Sequence, residues 1–473
     1  MKILFAASEA LPFIKVGGLG DVLGALPKTL HQMGHEVHVV LPLYSQIKPQ
    51  MREKAHYRCH FSFPHAWRDV YCGIFDAEID GVSYHLIDNE QYFKRPQVYG
   101  EYDDGERFAY FSKAVLEILP KIDFFPDVLH ANDWHTALVP VYLDTQYRLM
   151  QGYGNIRTVF SIHNIEFQGK YDPFILGSTF GIESRFLPLL THDRDLNLMK
   201  GAIECSNKVT TVPETYAKEI MNPYFSFGLD TILAPRSFKL SGIINGIDTE
   251  LFDPETDKNL PANYSAADLS GKKVCKAELQ KELGLPVRED VPLIAMVTRL
   301  TPQKGIDLFY PVLNELLGED LQLVVLGTGY PEYERFFASF EPYHPDNFRL
   351  CAKFDAGLAQ RFYAGADLFL MPSKSEPCGL AQMIAMRYGT LPIVHAVGGL
   401  SDTVEPYDPT KKTGNGINFC SFNAHDMKGA ILRACELYGD KENFAAAQQN
   451  AMNGDYSWDK SAKIYEALYR EIL

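Results

Sequence analysis

Lys15, Arg299 and Lys304 are three cations that stand where a strand-like run gives way to a helical one. Glu376 is a carboxylate fixed beside Pro377 in a further turn of the same kind. Cations at βα turns, backed by the free N–H groups of a following helix, suit an anion such as a diphosphate. Such a clamp also stabilises the negative charge that grows on a departing diphosphate, so it speeds departure as well as binding. Glu376 can then accept hydroxyls or face an electron-poor anomeric carbon. His163 and Asp133 supply hydrogen-bonding groups from another part of the chain. Each of these residues alone reads as readily as a solvated loop charge; their joint placement carries the reading. With no metal-ligand spacing in view, the cations are expected to take the part that Mg²⁺ plays in many diphosphate reactions.

The elements that must position these groups alternate strand and helix. Ile3-Leu4-Phe5-Ala6-Ala7 leads into Lys15-Val16-Gly17-Gly18-Leu19-Gly20-Asp21 and then a helical pattern, Val22, Leu23, Ala25, Leu26, Leu30. Apolar runs at 37–41, 128–130 and 158–162 read as buried parallel strands, and the last two end at Asp133 and His163. Residues 56–90 alternate aromatic and polar, which predicts antiparallel or edge strands. Seven aromatics in 92–111 lie among Arg95, Asp103, Asp104, Glu106 and Arg107. That mixture suits sugar faces and hydroxyls, and equally a segment tucked against the core.

The second half repeats this grammar. A strand at 293–297 is followed by Arg299 and Lys304-Gly305, then a helix expected over 306–317. Strands follow at 321–326, 368–371 and 391–394, running into Gly327-Thr328-Gly329, Ser373-Lys374-Ser375-Glu376 and Gly398-Gly399-Leu400. The prediction is an α/β protein of two Rossmann-like, doubly wound domains facing across a deep cleft, with the ligand held on strand-end loops. Its bounds are 1–244 on the acceptor side, 245–455 on the nucleotide-sugar side, and a terminal helix, 456–473, packing back on the first domain. That helix should carry Trp458, Ile464, Tyr465, Leu468, Tyr469 and Ile472 on one apolar stripe.

The 473 residues carry a net charge of −15, which argues against nucleic acid or an anionic membrane as partner. Eight scattered cysteines with no C-x-x-C pair read as reduced thiols, and no 18-residue apolar run or signal-like start is present. A cytoplasmic enzyme without metal or cofactor is expected; nothing signals an oligomeric state. A dinucleotide oxidoreductase also needs glycine-rich βα turns, but Gly18-x-Gly20-x-x-x-Gly24 is one residue off its fingerprint.

Taken together, the motifs resemble bacterial glycogen synthases and plant starch synthases, retaining GT-B glucosyltransferases. The resemblance runs through Lys15-Val16-Gly17-Gly18-Leu19-Gly20-Asp21, Tyr99-Gly100, Asp133-Trp134-His135-Thr136, His163-Asn164 and Asn245-Gly246-Ile247-Asp248. It continues through Arg299-Leu300, Gln303-Lys304-Gly305, Gly327-Thr328-Gly329, Glu376-Pro377-Cys378-Gly379-Leu380 and Gly398-Gly399-Leu400. It implies transfer of glucose from ADP-glucose to the non-reducing end of an α-1,4-glucan such as glycogen. It implies that Lys15, Gly17 and Gly18 contact donor and phosphate, that Arg299 and Lys304 grip the diphosphate, and that Glu376 holds the donor sugar. His163 would lie by the reacting centre; Glu9, Asp21, Asp133, Cys378, Gly379 and Leu380 would line the same site, and Phe354 would lie beside the base. The chain departs from the family pattern at Lys374-Ser375 (usually Arg-Phe), Ala381 (usually a hydroxyl residue), Leu198 (commonly Trp) and Phe354 (often Tyr). These changes weaken donor affinity while leaving the main clamp intact; a weakly active glucan-binding relative and a UDP-glucose enzyme are the alternatives.

Overall fold

Runs such as Leu293-Ile294-Ala295-Met296-Val297 are apolar on both faces, as strands must be when helices cover a parallel sheet from either side. In a computed structural model describing residues 1–473, they build two doubly wound sheets. The chain divides into a unit of Met1–Ile243 with Ser461–Leu473, and a unit of Ile244–Lys460.

The first unit holds a nine-stranded sheet. Its order is Leu240–Gly242, Lys208–Thr211, Arg157–Ile162, Val128–Asn132, Lys2–Ala6, Glu36–Pro42, Val82–Asp88, Arg68–Ile79, His56–His65. The first seven are parallel, and the last two add an antiparallel hairpin at the edge. The direction of sheet growth reverses between Lys2–Ala6 and Val128–Asn132, which opens a crevice at their carboxyl ends. Ile3, Leu4, Phe5, Leu129 and Phe160 are fully buried along these strands.

The second unit is a six-stranded parallel sheet: Phe348–Cys351, Gln322–Leu326, Leu293–Val297, Leu368–Met371, Leu391–His395, Ile417–Phe419. Numbered in chain order this is 3-2-1-4-5-6, the Rossmann arrangement, with its switch point between Leu293–Val297 and Leu368–Met371. The two outermost strands, Phe348–Cys351 and Ile417–Phe419, were not foreseen; each has only three or four residues, too few to establish a period.

Two local expectations are corrected, and the reading of 92–111, open between sugar contact and core, resolves toward the core. The helix expected over 306–317 is broken into a 3₁₀ turn, Ile306–Phe309, and a short helix, Leu313–Leu316. Pro311 lies between them; it lacks an N–H and disfavours helical geometry at Tyr310. In 92–111, Tyr92, Phe93, Phe108, Tyr110 and Phe111 are buried, largely on the helix Asp104–Glu117, so the aromatics are mostly core. Only Tyr102, 91% exposed, stands free of it. On the terminal helix Trp458–Ile472, Trp458, Tyr465, Leu468 and Tyr469 are buried, but Ile464 is 41% exposed because it falls one position off the i, i+3, i+4 stripe. The Tyr469 hydroxyl meets His130 Nδ1 at 2.7 Å, and His130 Nε2 meets Ser161 Oγ at 2.6 Å, tying this helix to the strands that lead to Asp133 and His163.

Candidate active site

At the switch point of the first sheet, the strand Lys2–Ala6 runs through Glu9 into the turn before the helix Gly18–Gln32. The Glu9 carboxylate is buried and accepts the N–H groups of Gly17 (2.9 Å) and Val16. Burial raises its pKa above the ordinary carboxylate value, against the pull of those two donors and of Tyr99. The expectation that this turn offers free N–H groups to a phosphate is therefore corrected at Val16 and Gly17: an internal carboxylate holds them, and Glu9 shapes the turn. Gly18 is exposed at the helix start. Lys15 is exposed and pairs with Asp21 at 2.6 Å. An exposed pair of this kind is worth little and is easily exchanged for a ligand anion.

The adjoining strand ends supply Asp133 and His163. Asp133 sits at φ 56° and its Oδ1 accepts the N–H of His163 (2.8 Å) and of Asn164 (3.4 Å). Burial pushes its carboxyl up to about 7, the two N–H donors pulling the other way. His163 Nε2 lies 3.0 Å from Asn132 Oδ1. The Asn132 amide donates to the carbonyls of Ala6 and His130, which leaves its oxygen as acceptor, so Nε2 of His163 carries the proton. Burial lowers His163 to about 4, so it is a neutral imidazole at pH 7.

In the second sheet, the two strands at the switch point carry the other candidate residues. Lys304 Nζ meets Glu376 Oε2 at 2.6 Å, and Ser373 Oγ donates to the same oxygen at 2.9 Å. Glu376 is 8% exposed. His395 Nδ1 donates to the Ser373 carbonyl at 2.8 Å, and the N–H of Gly399 donates to the Glu376 carbonyl at 3.0 Å. Gly398, at φ 45°, allows this approach: a Cβ there would lie 2.2 Å from the Glu376 carbonyl oxygen. Gly305 is needed for the same reason on the facing turn, since its φ is 74° and a Cβ would meet the Pro372 oxygen at 1.9 Å. Arg299 is exposed one turn away, beside Leu300, whose N–H bonds the Thr328 carbonyl. Phe354, 93% exposed, follows the outer strand Phe348–Cys351.

Cys378, Gly379 and Leu380 lead into the helix Ala381–Arg387. Burial pushes the Cys378 thiol up to about 12, so it remains protonated and offers no nucleophile. No side chain caps that helix, in keeping with leucine at its N-cap position, 380. No group of three His, Cys, Asp or Glu side chains is placed to hold a metal ion. Ser373, His395 and Asn132 were missed from sequence. Ser373 and Asn132 lie within three residues of a chosen carboxylate, and that proximity is the signal that could have found them.

Residues 2–235 match the family model described as starch synthase catalytic domain, and residues 279–451 that of glycosyl transferases group 1. The chain is 50% identical over 475 aligned positions to a glycogen synthase of Streptococcus mutans serotype c, covering 100% of both chains. The chain belongs to the glycogen and starch synthase family. It is 48% identical to a glycogen synthase of Bacillus anthracis, again over 100% of both. Among solved structures it matches the catalytic domain of starch synthase IV from Arabidopsis thaliana bound to ADP and acarbose, with TM-score 0.88 and 36% identity, covering 100% of this chain and 99% of that one. A sucrose-phosphate synthase from Thermosynechococcus elongatus, 18% identical, shares the fold with TM-score 0.63. Like other members of the glycogen and starch synthase family, this chain is a GT-B glucosyltransferase, and no helix in it is long and apolar enough to cross a membrane.

Proposed function

We propose that this enzyme transfers glucose from ADP-glucose to the non-reducing end of an α-1,4-glucan, with retention at the anomeric carbon, in the cytoplasm. The observation that carries the reading is the Lys304–Glu376 pair, seated across the switch point of a Rossmann sheet where nucleotide ligands bind. Glu376 keeps one oxygen fixed by Lys304 and Ser373 and offers the other to the donor glucose hydroxyls. Lys304 and Arg299 neutralise the diphosphate as its bond to the anomeric carbon breaks. Lys15 exchanges Asp21 for a donor phosphate, with Gly17 and Gly18 letting the donor approach the turn. His163, neutral and held by Asn132, contacts the donor sugar, and Asp133 orders the His163 turn. Phe354 offers an exposed ring to the base, and Cys378, Gly379 and Leu380 act through their backbone.

The departures at Lys374, Ser375 and Ala381 remove a planar guanidinium fork, an aromatic ring and a hydroxyl. None belongs to the Lys304–Glu376–Ser373 cluster, which favours an active transferase over a glucan-binding relative that has lost turnover. The test is the product: radiolabelled glucose added to a glycogen primer, then released by an exo-acting, α-1,4-specific hydrolase. Label that resists release contradicts the linkage and the end proposed.

A further inference from the structure

We infer that Ser373 is a positioning residue that fixes the orientation of the Glu376 carboxylate plane, holding one oxygen so that the other faces the donor sugar, with His395 holding Ser373 in register; this rests on the transferase reading above. A carboxylate offers two equivalent oxygens, and rotation about its last torsion exchanges them. Here the rotation is blocked. Oε2 receives both the Lys304 ammonium (2.6 Å) and the Ser373 hydroxyl (2.9 Å), which leaves Oε1 as the oxygen without these donors.

Lys304 alone does not fix that geometry. Its ammonium is a point charge on a flexible four-carbon stem and satisfies either oxygen equally well. The Ser373 hydroxyl is short, 2% exposed and three residues from Glu376, so its direction is set by the backbone. That backbone is pinned from the neighbouring strand. The Ser373 carbonyl is an acceptor, so His395 Nδ1 must carry the proton it donates at 2.8 Å. His395 is itself 4% exposed and tilted against Phe419 and Phe422. Gly399 fixes the main chain of Glu376 from the same neighbouring loop. The chain of donation therefore runs from His395 to the Ser373 carbonyl, and from the Ser373 hydroxyl to Glu376. When Lys304 turns toward a bound diphosphate, Ser373 is the donor that remains on Oε2 and keeps Oε1 aimed at the sugar.

The test is Ser373→Ala, compared with the wild type for kcat and KM with ADP-glucose, affinity for ADP and thermal unfolding. Loss of a hydrogen bond to a charged group predicts a fall in kcat of on the order of 10- to 100-fold. ADP lacks the glucose that Glu376 holds, so its affinity should stay within about twofold, a split that general loosening of the site would not produce. Ser373→Thr keeps the hydroxyl and should recover most of the lost rate; His395→Asn, which keeps a donor near the Nδ1 position, should outperform His395→Leu. Overturning results are a Ser373→Ala kcat equal to that of an active wild type, or ADP affinity that falls in step with kcat. A wild type inert with both ADP-glucose and UDP-glucose would overturn the transferase reading, and this inference with it.

Discussion

Replacing Asp133 by Asn separates stability from function at one position, and its size can be worked out from the geometry. The Asp133 carboxyl titrates at about 7 against an ordinary value of 3.8, with burial as the leading cause. Its folded value is raised, so between pH 4 and 7 the folded state binds more protons than the unfolded state. Stability contributed by this group is therefore complete below pH 4, is lost as pH rises toward 7, and stays lost above it. A shift of about 3 units corresponds to about 4 kcal/mol. Asp133 is only half-buried, and its remaining solvent contact trims this to about 2 kcal/mol. Asparagine keeps the Oδ1 acceptor for the His163 and Asn164 N–H groups while removing the charge. Asp133→Asn should thus gain about 2 kcal/mol relative to wild type on going from pH 4 to pH 8, while turnover falls. Urea unfolding followed by Trp fluorescence at both pH values measures the difference. A gap that is the same at the two pH values, or that widens toward acid, refutes the reasoning.

Other perturbations read other parts of the site. Lys15→Ala should raise the ADP-glucose KM several-fold with little change in stability, since its only ion pair is exposed; unchanged kcat and KM would remove Lys15 from the site. Gly305→Ala should destabilise by roughly 1–3 kcal/mol and lower activity, because the positive φ is strained and the new Cβ meets the Pro372 carbonyl. A variant with wild-type melting temperature and rate would show that the turn relaxes freely.

How far the sequence reached follows from what each signal encodes. The long apolar strands were visible because both faces are buried, and the strand ends therefore located Asp133, His163, Arg299 and Glu376. The three- and four-residue edge strands carry too few residues for any period, and Pro311 broke a helix that hydrophobic spacing alone seemed to support. Glu9 and Gly17 were picked out as neighbours of one site, yet residue types could not say that a carboxylate already occupies the turn's donors. That depends on backbone directions that glycine leaves open. Ser373 and His395 escaped for the opposite reason: a serine in a turn and a histidine ending a strand are common, and only the 2.8–2.9 Å distances make them a set.

The most direct measurement is release of nucleoside diphosphate by the purified protein with a glycogen primer, ADP-glucose against UDP-glucose, beside the Glu376→Ala variant. The expected result is primer-dependent release of ADP, slower release of UDP, and none from Glu376→Ala, which should still unfold cooperatively near the wild-type temperature. Release that is equal in wild type and Glu376→Ala, or absent from the wild type with both donors, would contradict the assignment of this site to glucosyl transfer.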